Sequence, residues 1–152
     1  MKVLLTGFYG KYNSSNVLVN QIKDVDKLIL TNSFSKLKKE IDNASIEEYD
    51  LVLMFGINKF LKNEIRLEKV ARLDKSLSTG LNTLLFQDIC NKYIQTSINV
   101  TPTKYLCNSA YYHILQRNSK ALFIHIPGLS KIDNMKLLID MINDSISNIK
   151  VF

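Results

Sequence analysis

"YDLVLMFG", residues 49–56, is the most apolar stretch of the chain, and its length is that of a single buried β-strand. A strand without a polar face is typical of a parallel sheet that is covered by helices on both sides. Apolar runs of the same kind stand at 2–8, 26–31 and 121–127. Together these runs predict strands of one sheet that is covered on both faces.

Segments with apolar residues at helical spacing alternate with these runs. The helical segments lie at 15–24, 33–44, 79–95, 105–117 and 133–149, and two further strand patterns lie at 64–73 and 98–102. The alternation predicts an α/β protein, a three-layer α/β/α sandwich with a mostly parallel central sheet. The chain has no internal repeat, low-complexity tract or linker, so residues 1–152 are expected to form a single domain.

The composition is ordinary for a globular protein, with 46% hydrophobic and 22% charged residues. No apolar run reaches the length of a membrane span, and residues 1–7 lack the features of a signal peptide. Two cysteines cannot form a disulfide framework, which favours a cytoplasmic protein. The net charge of +6 comes from scattered lysines without interleaved aromatic residues, so we expect neither nucleic acid nor a membrane as partner.

A cysteine and a histidine lie where predicted strands end. Cys107 is at the start of the helix that follows the strand at 98–102, and His125 is near the end of the strand at 121–127. Because ligands of open α/β sheets bind beyond the carboxyl ends of the strands, we expect both side chains at one rim of the sheet. A helix start also favours a thiolate, so we expect Cys107 to have a thiol pKa below the usual value.

Each of the two residues also has a structural interpretation. Cys107 can be a small buried hydrophobe, and His125 can be a core histidine with a satisfied hydrogen bond. Cys90 and His113 lie in the middle of predicted helices, and we interpret both as structural. The positions alone leave open whether Cys107 and His125 are a nucleophile and its base or two core residues.

Four sequence blocks carry a resemblance to a known family. The first is a strand that ends in T-G-F and is followed by an asparagine. The second is a glycine followed by an E-R-V-A strand, in which this chain has lysine in place of the arginine. The third is a Y-x-C-N motif, and the fourth is an F-I-H-x-P motif. In this order they resemble pyroglutamyl peptidase I, the pyrrolidone-carboxylate peptidase family, in a shortened and divergent form. The matching positions are Thr6, Gly7, Phe8, Asn16, Gly56, Glu68, Lys69, Val70, Ala71, Tyr105, Cys107, Asn108, Phe123, Ile124, His125 and Pro127.

The resemblance implies a phosphorylase/hydrolase-like fold and a thiol peptidase. Such an enzyme cleaves an amino-terminal pyroglutamyl group, or a related small lactam or amide, from a small peptide or amide substrate. By the resemblance, Cys107 would be the nucleophile, His125 the general base, and Glu68 the carboxylate that orients the imidazole. No cofactor and no metal are expected.

The resemblance also implies a substrate pocket near the first strand. Phe8 would form a wall for the lactam ring, because a flat apolar side chain suits that task. Asn16 would stand at the start of the first helix, and Tyr12 would take the place of a second phenylalanine of the family. We expect this pocket to be open to solvent.

The chain departs from the family after "EKVARL". Family members carry a long loop there with an arginine that assists the oxyanion, whereas "DKSLS", residues 74–78, contains no arginine. Two alternatives therefore stay open: a non-catalytic binding protein that retains the fold, and a thiol amidase with a different small substrate. A homo-oligomer is also left open, since family members associate through surfaces that include the missing loop.

Overall fold

The computed structural model describes residues 1–103 and 105–149. None of the helices in this part of the chain is long and apolar enough to cross a membrane. The described residues form these elements in chain order: β1 Val3–Phe8, α1 Ser14–Gln21, β2 Asp26–Leu30, α2 Phe34–Asp42, β3 Leu51–Ile57, β4 Glu64–Glu68, β5 Val70–Arg72, β6 Ser76–Ser78, α3 Thr83–Cys90, β7 Gln95–Asn99, α4 Leu106–Arg117, β8 Ala121–Ile126 and α5 Met135–Asn148.

The main sheet has six strands in the order β2-β1-β3-β8-β4-β7. The pairs from β2 to β8 are parallel, β8 and β4 are antiparallel, and β4 and β7 are again parallel to each other. The predicted three-layer α/β fold with a mostly parallel sheet is confirmed. The wholly apolar strands β1, β3 and β8 are buried along their full lengths, as expected for strands covered on both faces.

Helices cover the two faces of the sheet unequally. One apolar cluster joins the sheet to α1, α3 and α5, and a second joins the opposite face to α2 and α4. The second face carries alternate residues of the central strands, among them Phe8 of β1 and Phe123 of β8. Since side chains alternate along a strand, His125 shares this face with Phe123.

Three predicted elements differ from the structure, and one of them, the strand predicted at 98–102, lies earlier as β7, Gln95–Asn99. The segment 64–73 was predicted as one strand, but the main chain leaves the large sheet at Lys69, and β5 pairs with β6 in a separate antiparallel hairpin. Lys69 makes the break because its N–H donates to the carbonyl of Asn99 while its carbonyl accepts from Thr79 N–H. The helix predicted at 79–95 is shorter, since Asn82 caps its start through Leu85 N–H and residues 95–99 form β7.

The direction of β7 differs from what we expected, because this strand does not end at the rim where Cys107 lies. Because β4 and β7 run opposite to β8, Asn99 at the end of β7 is level with Glu68 and Phe123, below the rim. Cys107 nevertheless lies against Gly56, which is level with His125. The chain therefore turns back toward the rim between β7 and α4, and no parallel strand delivers Cys107 there directly.

Candidate active site

Glu68 and His125 form a buried pair between β4 and β8. Oε1 of Glu68 lies 2.7 Å from Nδ1 of His125, and the two residues are only 4% and 6% exposed. A carboxylate can only accept, so Nδ1 of a neutral imidazole carries the proton in this contact. Nε2 is then left as the acceptor, which is the state required of a general base.

The imidazole is also fixed by packing on the same face of the sheet. Its ring centroid lies 4.2 Å from that of Phe123 in a tilted arrangement. The Phe123 ring in turn meets Tyr111 of α4 edge to face, with 5.6 Å between centroids. This stack and the Glu68 contact leave the ring of His125 little freedom to rotate.

Cys107 is the second residue of α4, and its thiol packs against β3. A Cβ atom at position 56 would lie 2.9 Å from Cys107 Sγ and 3.0 Å from the Phe123 ring, closer than side-chain atoms approach one another. Gly56 pairs directly with His125 in the sheet register. The absence of a side chain at position 56 therefore makes room for the thiol beside the histidine strand. No hydrogen bond joins Cys107 Sγ to His125 within residues 1–103 and 105–149.

The environment of Cys107 opposes ionisation of its thiol. Burial raises the pKa of Cys107 to about 12, the negative charge of Glu68 adds to the increase, and the Cys107 backbone N–H acts in the opposite direction. The expectation of a lowered thiol pKa from the helix start is wrong for this resting state, because desolvation outweighs the helix terminus. Burial likewise raises the pKa of Cys90 to about 11.

Side chains of α4 tie the helix to the strand of Glu68. Asn108 donates to the carbonyl of Arg72 at 2.6 Å and accepts from its N–H at 2.9 Å. Tyr111 donates its hydroxyl to the carbonyl of Glu68 at 2.8 Å, and Tyr112 bonds Asp74 in the hairpin turn. Cys107, next to Asn108, is thus held in register with the Glu68–His125 pair.

The residues predicted to bind substrate near β1 do not border His125. Phe8 is 3% exposed and belongs to the core under α2 and α4, so within residues 1–103 and 105–149 its ring does not line an open pocket. It points to the face that these helices cover. Asn16 donates to the carbonyl of Gly10 and closes the loop before α1. Tyr12 is 74% exposed, with Lys11 Nζ over its ring.

A different cavity, of about 480 Å³, lies directly against His125. It is formed by the turn after β3 and by the segment before α4. The exposed aromatic side chains of Phe60 and Tyr105 contribute to its lining, and Lys59 supplies a positive charge. The remaining lining residues are Ile57, Asn58 and Thr103. Among the described residues, no group of three or more His, Cys, Asp and Glu could hold a metal ion.

Cys90 and His113, which we interpreted as structural from the sequence, lie in structural surroundings. Cys90 is buried in the core and lies 3.9 Å from Ser145 Oγ. His113 is half-buried in α4 and faces Gln116 of its own helix, at 3.4 Å. Neither is near the Glu68–His125 pair.

Two residues of the site have features that sequence reasoning did not use. Asn99 donates to Oε2 of Glu68, and the only sign of it in the sequence is a polar residue in the strand pattern "INV". The closeness of Gly56 to the thiol has a weak signal, a glycine at the end of the most apolar strand. Both features depend on strand pairing, which a single sequence does not reveal.

The comparisons with known proteins agree on the fold. The structure resembles pyrrolidone carboxyl peptidase from Thermus thermophilus with a TM-score of 0.81 and 17% identity, over 97% of this chain and 100% of that one. For the enzyme from Thermococcus litoralis the TM-score is 0.78 and the identity is 18%, over 96% of this chain and 91% of that one. For a mutant of the enzyme from Pyrococcus furiosus the TM-score is 0.78 and the identity is 17%, over 97% of both chains. No family model and no curated protein matches the sequence. The predicted resemblance to this family is confirmed at the level of the fold.

Proposed function

We propose that the chain is a cysteine hydrolase that cleaves an amino-terminal pyroglutamyl group from small peptides or amides. The observation that carries this proposal is the buried 2.7 Å contact of Glu68 with His125, next to Cys107, in a fold shared with pyrrolidone carboxyl peptidases. A buried carboxylate that orients an imidazole beside a thiol is the constellation of thiol-dependent acyl transfer.

The reaction has two steps. Sγ of Cys107 attacks the carbonyl carbon while its proton passes to Nε2 of His125, and a carbon–sulfur bond forms. The carbon–nitrogen bond then breaks, and the amine leaves with the proton that His125 holds. In the second step the water oxygen attacks the thioester carbon while His125 takes a proton from the water. The carbon–sulfur bond then breaks, the sulfur takes the proton back from His125, and the free acid leaves.

The raised thiol pKa determines how Cys107 is activated. Burial raises the pKa of the Cys107 thiol and so disfavours a preformed thiolate in the resting site. Proton transfer to His125 accompanies the attack instead, and Glu68 stabilises the imidazolium that results. The position of Cys107 in the first turn of α4 favours the negative charge that develops there.

The cavity beside His125 is the proposed substrate site. Its volume of about 480 Å³ lies within the usual range for small-molecule sites, and Phe60 and Tyr105 offer apolar surface to a flat group. Phe60 and Tyr105 are 82% and 75% exposed, respectively, so their rings are accessible to a ligand in this cavity.

The same cavity favours a second candidate function, a thiol amidase with another small substrate. Phe8, the expected wall of the lactam pocket, is buried in the core, whereas Lys59 brings a positive charge to the cavity. An amide that carries a carboxylate would suit Lys59 better than a neutral lactam does. The two functions share the thiol chemistry and differ in the acyl group.

A pyroglutamyl chloromethyl ketone tests the proposed function. Attack by Sγ forms a carbon–sulfur bond, chloride leaves, and peptide mapping by mass spectrometry locates the label. We expect saturable labelling of Cys107, protection by a pyroglutamyl dipeptide, and no labelling of Cys90, the matched internal control. His125→Ala should slow the labelling. Equal labelling of both cysteines, with rates that rise linearly with reagent and ignore His125→Ala, would contradict the proposal.

A glutaryl chloromethyl ketone separates the two candidates. It carries a carboxylate in place of the lactam and can therefore pair with Lys59. Preferential labelling of Cys107 by the pyroglutamyl reagent supports the peptidase. Preferential labelling by the glutaryl reagent, lost in Lys59→Gln, supports the alternative amidase.

A further inference from the structure

The carboxylate of Glu68 has a second hydrogen-bond partner besides His125. Nδ2 of Asn99 lies 2.7 Å from Oε2 of Glu68, while Oε1 faces the imidazole. Asn99 is the last residue of β7, and the parallel register places it directly beside Glu68. Each carboxylate oxygen thus has its own partner. A buried carboxylate requires such partners to remain ionised.

The orientation of the Asn99 amide is fixed by the main chain. Nδ2 donates to the carbonyl of Thr101 at 2.8 Å, and Oδ1 accepts from Thr101 N–H at 3.3 Å. A carbonyl oxygen can only accept, so the nitrogen must face it. The same nitrogen faces Glu68, and therefore the contact with the carboxylate is a donated hydrogen bond. Both amide hydrogens are used, one on Thr101 and one on Glu68.

We infer that Asn99 is a positioning residue that holds Glu68 as an ionised acceptor and thereby keeps the proton of His125 on Nδ1. If Glu68 were protonated on Oε1, it would donate to Nδ1, and Nε2 would carry the hydrogen and could not accept the thiol proton. The donor on Oε2 opposes that state because it stabilises the charged carboxylate. The catalytic meaning of this inference rests on the proposed function.

Other charged and titratable groups face Glu68 from the elements around it. Arg66 lies on the same face of β4, directly opposite His125 in β8. From α4 come the thiol of Cys107 and the hydroxyl of Tyr111, which is bonded to the Glu68 carbonyl. On β7, the residue that lies beside Glu68 is Asn99 itself. Arg66, Cys107 and Tyr111 are unchanged in the variants below, so a shifted pH profile reports on the Asn99 donor.

The test is a double-mutant cycle between Asn99→Ala and Glu68→Gln. The measurement is the rate of iodoacetamide labelling of Cys107 between pH 5 and 9, followed by peptide mapping. In the wild-type background we expect Asn99→Ala to slow labelling about tenfold at neutral pH, the value of one hydrogen bond to a charged group. The acid limb of the profile, the pH range over which the labelling rate falls as the pH is lowered, should move upward by about one pH unit.

In the Glu68→Gln background the charge is gone, and the loss of its donor should change the labelling rate less than about twofold. Such a difference between the two backgrounds means that Asn99 acts on the labelling rate through the Glu68 carboxylate. A turn-forming role alone would slow labelling by the same factor in both backgrounds and leave the acid limb in place. That result would overturn the inference.

Asn118→Ala is the matched control. Asn118, like Asn99, is an asparagine that bonds main-chain groups, here the carbonyls of Ile46 and Tyr49 and the N–H of Lys120, but it is buried and lies outside the site. We expect it to lower the melting temperature without moving the acid limb. If Asn99→Ala does not fold, Asn99→Ser replaces it, because one hydroxyl hydrogen can serve Thr101 or Glu68 but not both.

The readout separates this inference from the proposed function. Iodoacetamide needs no recognition of substrate, so coupling between Asn99 and Glu68 together with no reaction toward any pyroglutamyl compound would leave the inference standing and remove the proposed function. Reaction with pyroglutamyl compounds but no coupling between Asn99 and Glu68 would leave the proposed function standing and remove the inference.

Discussion

Oε1 of Glu68 and Nδ1 of His125 lie 2.7 Å apart across the antiparallel contact of β4 and β8. The antiparallel register pairs Glu68 with Phe123, two residues before His125, so the side chains of Glu68 and His125 meet diagonally on one face of the sheet. Both residues are almost wholly buried, so the contact is shielded from water and strengthened by the low local dielectric.

The first prediction concerns the tautomer of His125. Glu68→Gln replaces the carboxylate with an amide whose nitrogen can donate to Nδ1, which moves the ring proton to Nε2. We expect the rate of pyroglutamyl amide hydrolysis to fall about 10³- to 10⁴-fold with the fold unchanged. Glu64→Gln, on the same strand, is the control and should retain wild-type rates. A Glu68→Gln enzyme within threefold of wild type would show that the carboxylate does not orient the base.

The second prediction concerns the space beside the thiol. In Gly56→Ala the new Cβ atom would lie 2.9 Å from Cys107 Sγ and 3.0 Å from the Phe123 ring, so the thiol must move. We expect labelling of Cys107 by the pyroglutamyl chloromethyl ketone to slow at least tenfold, as small misplacements cost large factors in rate. Gly128→Ala is the matched control, because a Cβ atom there meets nothing within 4 Å. Equal labelling rates for the two variants would refute the prediction.

The third prediction concerns stability at high pH. Burial raises the pKa of Cys90 to about 11 and that of Cys107 to about 12, whereas both thiols ionise near pH 8.5 in the unfolded chain. Above that pH the unfolded state loses protons that the folded state keeps. The contribution of these two thiols to the free energy of unfolding should therefore be constant below about pH 8.5 and decrease between about pH 8.5 and 12.

Urea unfolding at a series of pH values measures this slope. Cys90→Ala removes one of the two thiols and should make the decrease with pH shallower, whatever its effect on stability at neutral pH. An unchanged slope would mean that Cys90 titrates alike in both states.

The fourth prediction concerns the orphaned hydroxyl of Thr6. Thr6 is fully buried in β1, and its Oγ1 is the buried side-chain atom without a hydrogen-bond partner among residues 1–103 and 105–149. Thr6→Val removes the hydroxyl while keeping the shape, so we expect the free energy of unfolding to rise by about 1 kcal/mol. Chemical denaturation measures it.

Thr79→Val is the matched comparison for Thr6→Val. The Thr79 hydroxyl donates to the carbonyl of Ala121 and accepts from Leu81 N–H. Its loss removes a partner of the buried Ala121 carbonyl and of the half-buried Leu81 N–H, so stability should fall by about 1–3 kcal/mol. Changes of the same sign in both variants would show that hydrogen bonding does not distinguish the two sites.

The sequence predicted those parts of the fold that depend on local pattern. The apolar runs at 2–8, 49–56 and 121–127 correspond to β1, β3 and β8, because strands buried on both faces need no polar alternation. The break at Lys69 and the hairpin after it were missed, since they depend on main-chain bonds from Lys69 to Asn99 and Thr79 that join distant segments.

The site was predictable by residue type but not by environment. Cys107, His125 and Glu68 stood out from motifs, and the structure brings Glu68 and His125 into contact beside the thiol. Their catalytic roles remain proposals. The raised pKa of Cys107 could not be predicted, because it arises from burial of the thiol against the sheet, which outweighs the helix start. Phe8 was assigned to a pocket, yet its face of β1 is covered by helices.

The most direct test of the central claim is the release of a fluorophore from a pyroglutamyl amide by the purified protein. Wild type and Cys90→Ala should release it at equal rates, Cys107→Ala should release none above background, and amides of unblocked amino acids should not be cleaved. No release by the wild type, or equal release by Cys107→Ala, would contradict the account.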